Sequence, residues 1–334
     1  MGAAGWPGWV GIAFVFAVAC VGTWLARRYA LRRRLIDEPG ERRSHGVATP
    51  RGGGAGIVVA MLAALAMSSA ALTGPQRALP AAIAVGLLLV AAVGWIDDHR
   101  PLSPWGRLAT HAIAAACLGA GLLAAGMAPL VAAAGALLAL VLVNVWNFMD
   151  GIDGLAASQA QLVALACALL ARGGGDAWLA LALAAACAGF LPFNLPPARI
   201  FLGDVGSGAL GYLLAAMVAW RGSRAPADAP LLLLPLSAFL LDASLTLAAR
   251  VWGGERWWLP HTQHAYQRWV RGCRRHGTVT TAYGTWTLLA IGAMWLAAGE
   301  GLAVKMLALS GCCLGGVIAW MWLRRTPLPP GDRE

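Results

Sequence analysis

Apolar residues in this chain come in long runs, interrupted by short islands of polar and charged residues. A run of about 20 residues is what an α-helix needs to cross the hydrocarbon core of a bilayer. The runs predict about eleven spans, near 8–26, 54–72, 79–96, 108–126, 128–146, 155–171, 177–195, 207–220, 230–250, 281–299 and 302–323. They number ten if the 108–146 region divides differently. The expected fold is all-α and polytopic. No repeat or Pro/Ser-rich linker divides the chain, so 1–334 reads as a single integral membrane domain.

Composition agrees. Of 334 residues, 59% are hydrophobic and 12% charged, with a mean hydropathy of +0.68, whereas soluble domains carry about 25% charge. The formal charge of +10 would suit nucleic acid, but the arginines sit in loops between apolar runs, which argues against such a partner. With the N-terminus outside, the inside segments hold 20 of the 25 Lys and Arg. The positive-inside rule therefore predicts a periplasmic N-terminus, a cytoplasmic C-terminus and an uncleaved first span. On this topology most acids are cytoplasmic, Asp176, Asp228 and Glu300 lie outside, and Asp242 lies within a span. The seven cysteines lack CxxC spacing, and all but Cys273 sit in apolar runs, as core residues do.

Five polar segments then fall on one membrane face: 37–56, 97–107, 144–154, 194–208 and 250–276. The first joins His45 and Arg51 to a glycine run, suiting an anionic ligand or, more plainly, a topology-setting loop. The second ends a span in Asp97-Asp98, a pair that repels itself unless a cation or proton relieves it; Arg107 would bind phosphate or neutralise the pair. In the third, Asn144, Asn147 and Asp150 share a broad helix face. Gly151 is expected to end that helix, and Gly154 to permit a turn that returns Asp153 to the same pocket. These hard oxygen donors suit Mg²⁺ or hydrogen bonding to a base. The fourth carries Arg199, Phe201 and Asp204 before a glycine-rich helix start, where free N–H groups favour phosphate. The last mixes Trp and Arg with His261, His264 and Arg268, a composition suited to the headgroup level. Asp242 is expected to pair with an arginine or face the site.

The ordered pieces His45-x-x-x-x-Pro50-x-Gly-Gly, Asp97-Asp98, Asn144-x-x-Asn147-x-x-Asp150-Gly-x-Asp153-Gly, Phe201-x-Gly-Asp204-x-Gly-Ser and His261-x-x-His264 resemble the motifs of the polyprenyl-phosphate N-acetylhexosamine-1-phosphate transferases. The resemblance runs from residue 45 to 268. It implies transfer of a sugar-1-phosphate from a UDP-N-acetyl sugar to undecaprenyl phosphate at the inner membrane, with release of UMP. It also implies Mg²⁺, replaceable by Mn²⁺, held by Asn147 and Asp204, with Asp97 and Asp98 at the reacting phosphates. Asp153 and Phe201 would hold the uracil. His261, His264 and nearby arginines, Arg51, Arg107, Arg199 and Arg268 among the candidates, would grip the pyrophosphate or sugar. Direct in-line attack by the lipid phosphate is expected, with an aspartyl-phosphate route as the alternative. The His-Thr-Gln-His element departs from the three consecutive histidines of the muramoyl-pentapeptide enzymes. It resembles the branch that initiates O-antigen or related surface polysaccharides. The rival readings are pentapeptide transfer and, from another class, a transporter, which would place its acids near the bilayer midplane. Apolar helix faces permit a homodimer.

Overall fold

The computed structural model describes residues 8–38, 47–171, 175–256, 258–259, 261–273 and 275–325. Each apolar run becomes helical. The helices are α1 (Gly8–Arg33), α2 (Ala55–Ala70), α3 (Ala78–His99), α4 (Pro104–Ala124), α5 (Pro129–Met149), α6 (Leu155–Ala171), α7 (Gly175–Asn194), α8 (Asp204–Arg224), α9 (Ala229–Leu233), α10 (Ser237–Trp252), α11 (Ala265–Cys273), α12 (His276–Ala297) and α13 (Leu302–Arg325).

Helix count and span count differ. Among the described residues, α1, α3, α4, α5, α7 and α13 are long and apolar enough to cross a membrane, and the bent pair ending in α10 makes up to seven. The expected span 230–250 is broken by a 68° bend between Pro226–Leu233 and Ser237–Trp252. Pro235 lies in the break, where its missing N–H cannot continue the helix. Helix α8 is too rich in glycine and polar residues to pass as a span by composition. It is buried continuously from Val205 to Trp220, so protein rather than lipid surrounds it.

Helix α8 packs chiefly on α5 and α3. A Cβ on Gly94 would lie 2.4 Å from the Asp204 carbonyl oxygen, so the ends of α3 and α8 approach as closely as backbones allow. That contact brings Asp97, Asp98 and Asp204 together.

Side-chain bonds define the two ends of the bundle. At one end Tyr29 meets His99 Nε2 at 3.1 Å, Arg27 donates to the Arg199 carbonyl, and Arg268 donates to the carbonyl of Arg324. The described parts of all five polar segments gather there. At the other end Lys305 pairs with Asp228 at 2.8 Å, and Arg221 lies 3.8 Å from Asp176 and 3.6 Å from Asp228. This second cluster ties α13, which buries only Lys305 and Leu323, to α7 and α8.

Two local elements lie outside the expected spans. Ile36–Asp37 pairs antiparallel with Thr49–Pro50. The last polar segment contains α11, nine residues long.

Candidate active site

The centre of the polar end is a carboxylate pair bridged by an arginine. Asp97 Oδ2 lies 2.7 Å from Arg107 Nη1, and the same nitrogen lies 3.5 Å from Asp204 Oδ2. The Asp97 and Asp204 carboxyls are themselves within hydrogen-bonding reach. Asn147 Nδ2 donates to Asp204 Oδ1 at 2.7 Å and to Ser207 Oγ at 3.2 Å. Four predicted residues, Asp97, Arg107, Asn147 and Asp204, therefore form one contiguous group, contributed by the ends of α3, α4, α5 and α8. Ser103 starts α4 by accepting from Gly106 N, with Pro104 at the first helical position, and this aims Arg107 at the acids.

Asp98 does something different. Its Oδ1 accepts from Asp204 N at 3.1 Å and its Oδ2 from Val205 N at 3.2 Å. It therefore caps α8 from another helix, complementing the positive end of the dipole. The N–H groups at 204 and 205 are not free for phosphate, which corrects the expectation for that helix start. Arg51 Nε lies 3.8 Å from Asp98 Oδ1, and its guanidinium donates to the Asp98 carbonyl.

The turn after α5 forms as its sequence predicts, with one change of cause. Gly154 has φ +74°, the left-handed turn position. Asp153 swings back, its Oδ1 lying 3.0 Å from His276 Nδ1 and its Oδ2 accepting from Ala198 N at 3.0 Å. Asn194 Oδ1 accepts from Gly154 N while its Nδ2 donates to the Ile200 carbonyl, locking the turn to the 194–201 loop. Helix α5 ends at Met149 with Asp150 as its cap. Gly151 is needed for clearance, because a Cβ there would lie 2.2 Å from the Tyr266 hydroxyl. That hydroxyl donates to the Phe148 carbonyl at 3.0 Å and docks α11 onto α5. Gly151→Ala is expected to cost about 1–3 kcal/mol of overpacking and to lower transfer activity. Adding Tyr266→Phe should restore part of both, read by thermal unfolding and turnover of the single and double variants.

Two cavities meet at this group. One, of about 370 Å³, is lined by Arg107, Asn144, Asn147, His261 and His264. The other, of about 210 Å³, is lined by Arg51, Asp98, Asp153, Phe201 and His276. Asp150, Gly151, Asp204 and Gln267 belong to both. Burial holds the Asp150 carboxyl well above the usual carboxylate range, and the Asp204 and Asp98 charges push it further the same way.

The remaining predicted residues divide. Asn144 lines the larger cavity but donates its amide to Leu140 of its own helix. Arg199 lines neither cavity: it donates to the Pro192 carbonyl and lies over the Phe193 ring. Arg268 also lines neither, reaching toward the end of α13. His45 lies outside the described residues. Among the described residues Asp242 pairs with no arginine: it bonds the start of α11 and faces His264.

Sequence reasoning passed over His276, His111, Tyr266 and Gln267. His276 and Tyr266 have partners distant in the chain, Asp153 and the Phe148 carbonyl. The spacing of Gln267 three residues after His264, whose N–H it accepts at 3.2 Å, was the one local signal.

A sequence profile of glycosyl transferase family 4 matches residues 80–221. The decaprenyl-phosphate N-acetylglucosaminephosphotransferase of Mycobacterium tuberculosis (strain CDC 1551 / Oshkosh) is 30% identical over 330 residues, covering 84% of this chain and 81% of the relative. The phospho-N-acetylmuramoyl-pentapeptide-transferase of Synechococcus sp. (strain RCC307) is 37% identical over 210 residues, covering 54% and 55%. A probable undecaprenyl-phosphate N-acetylglucosaminyl 1-phosphate transferase of Bacillus subtilis (strain 168) is 30% identical over 222 residues, covering 60% of each. A helical membrane bundle with these ordered motifs at one end, and this likeness across most of its length, belongs to the glycosyl transferase family 4 superfamily of polyprenyl-phosphate sugar-phosphate transferases.

Proposed function

We propose that the protein transfers an N-acetylhexosamine-1-phosphate from a UDP-sugar to undecaprenyl phosphate, beginning an O-antigen or other surface polysaccharide at the inner membrane. The observation that carries this reading is the meeting of two cavities at Asp204 and Asp150, with Asp204 joined there to Asn147, Arg107 and Asp97. Both substrates are anions, so the site must neutralise charge and align a nucleophile with phosphorus. The twenty basic residues of the inside segments favour a cytoplasmic site, where a UDP-sugar would enter from water.

The adjoining Asp97 and Asp204 carboxyls suit a hard divalent cation, and Asn147, whose Nδ2 faces Asp204 in the unliganded site, would add its carboxamide oxygen once the amide turned over. Among the described residues no group of three His, Cys, Asp or Glu forms a metal cage. Two carboxylates and one carboxamide match the sparse protein ligation of Mg²⁺, with Mn²⁺ as a substitute. Bound there, the cation would neutralise charge on the donor's pyrophosphate. Arg107, held between the two acids, lies where it can meet the transferred phosphoryl. An oxygen of the lipid phosphate forms the new bond to the β-phosphorus. The bond from that phosphorus to the bridging oxygen breaks, and the bridging oxygen leaves with UMP. Asp97, which accepts from Leu102 N and Arg107, would act by aiming that arginine at the lipid phosphate, while both Asp98 oxygens cap α8.

The smaller cavity, with Asp153 and Phe201, is proposed for uracil, and the larger, with His261 and His264, for the sugar and the lipid phosphate. N-acetylglucosamine is the sugar named for the relative matched over the longest stretch quoted above, which favours an N-acetylhexosamine donor over a muramoyl-pentapeptide one. Purified protein, undecaprenyl phosphate, Mg²⁺ and a panel of UDP-N-acetyl sugars and UDP-muramoyl-pentapeptide test the reading. A lipid diphosphate-sugar identified by mass is expected with an N-acetylhexosamine donor. Product from the pentapeptide donor alone would move the function to peptidoglycan synthesis.

A further inference from the structure

Asp242 is a carboxylate in the body of α10, 3% exposed, an expensive place for a charge that has no task. Four bonds fix it. Its Oδ1 accepts from Ala265 N at 2.8 Å and Thr246 Oγ1 at 3.2 Å, and its Oδ2 accepts from Tyr266 N at 3.1 Å and Tyr283 Oη at 2.7 Å. The two backbone donors are the first N–H groups of α11, so Asp242 serves as the cap of that helix from a different helix. Immediately before α11 stands His264, 3% exposed and lining the larger cavity. Its buried Nδ1 has no hydrogen-bond partner among the described residues and faces Asp242 Oδ1 at 3.7 Å. The ring is confined by Phe148 and Tyr266, which stack on it at 6.0 and 5.9 Å, and by His261 at 4.8 Å. Behind Asp242 lies an apolar cavity of about 250 Å³ walled by Trp269, Trp286 and Trp320, which keeps the local dielectric low.

A carboxylate facing one imidazole nitrogen favours a proton on that nitrogen and frees the other as an acceptor. We propose that Asp242 is a positioning residue for the transfer, anchoring α11 and holding His264 with its proton on Nδ1 so that Nε2 is offered to the cavity. The proposal rests on the transferase reading of that cavity, and it explains why the break before α10 and the short helix α11 belong to one device. The bend carries Asp242 to the start of α11, and α11 carries His264 to the site.

Nitrogen NMR of the full-length, histidine-labelled protein tests it, with the His264 signal assigned by its loss in His264→Gln. The wild type is expected to show His264 protonated on Nδ1. In Asp242→Asn the proton should shift toward Nε2, with kcat falling about 10- to 100-fold and the KM for the UDP-sugar nearly unchanged. Tyr283→Phe removes a different partner of the same carboxylate and should lower thermal stability while leaving the tautomer as in the wild type. Nε2 protonation in the wild type would overturn the proposal, whether or not Asp242→Asn folds. An unchanged tautomer in a folded Asp242→Asn protein would do the same. Failure of the wild type to turn over any donor would instead count against the transferase reading, and the tautomer measurement stands apart from that outcome.

Discussion

Asp204→Asn is expected to lower UMP release by about 10³-fold, equivalent to about 4 kcal/mol of transition-state stabilisation, while leaving the fold intact. The substitution keeps the side chain's shape and one oxygen for the Asn147 donor. It removes the charge that Arg107 answers at 3.5 Å and halves the carboxylate pair with Asp97. A divalent cation held by two acids and an amide would lose a principal ligand, and the arginine would rest on Asp97 alone. The loss should fall on kcat and not on folding, since the Asp204 side chain is one-third exposed and caps nothing. Turnover and thermal unfolding of the same preparation separate the two.

Asp98→Ala should behave oppositely. Removing the carboxylate leaves the N–H groups of residues 204 and 205 without their acceptor. A buried donor left unpaired costs about 1–3 kcal/mol, and losing a helix cap adds about 1 kcal/mol. The unfolding midpoint should drop measurably. Activity should drop as well, because the start of α8 carries Asp204. Asp98→Asn retains an acceptor for one of the two N–H groups and should recover part of the stability. If Asp98→Ala unfolds at the wild-type midpoint and loses only turnover, Asp98 acts on substrate and its capping is incidental.

Adjacent acids make separate contacts, Asp97 with Arg107 and Asp98 with the start of α8, and that division was not legible in the sequence. Asp97-Asp98 reads as a charged pair at a helix end, but the partner of Asp98 is the backbone 106 positions later. Residue type and spacing did place Asn147, Asp150, Asp153 and Asp204 at one site, because a hydrocarbon environment leaves such residues few other places. They did not reveal that Arg199 and Arg268 turn toward backbone carbonyls instead of either cavity, since an arginine in a polar loop has the same composition whichever way it points. Among the described residues six helices, or seven with the bent pair, pass as spans by length and composition against about eleven expected, for a related reason. Apolar runs identified the helices, but a helix enclosed by protein, as α8 is, need not be as apolar as one that faces lipid. Gly151 was assigned a helix stop when its task is to admit the Tyr266 hydroxyl, a contact set by α11.

The metal dependence of UMP release tests the central claim most directly, because both cavities meet at Asp204, the exposed member of the carboxylate pair. Purified protein with undecaprenyl phosphate and its preferred UDP-N-acetyl sugar should release UMP only with Mg²⁺ or Mn²⁺, lose it on EDTA, and regain it on adding metal back. Asp204→Asn should require far more metal for its residual rate. Release that persists at the wild-type rate in excess EDTA, or a metal titration unmoved by Asp204→Asn, would contradict a metal-assisted transfer at this site.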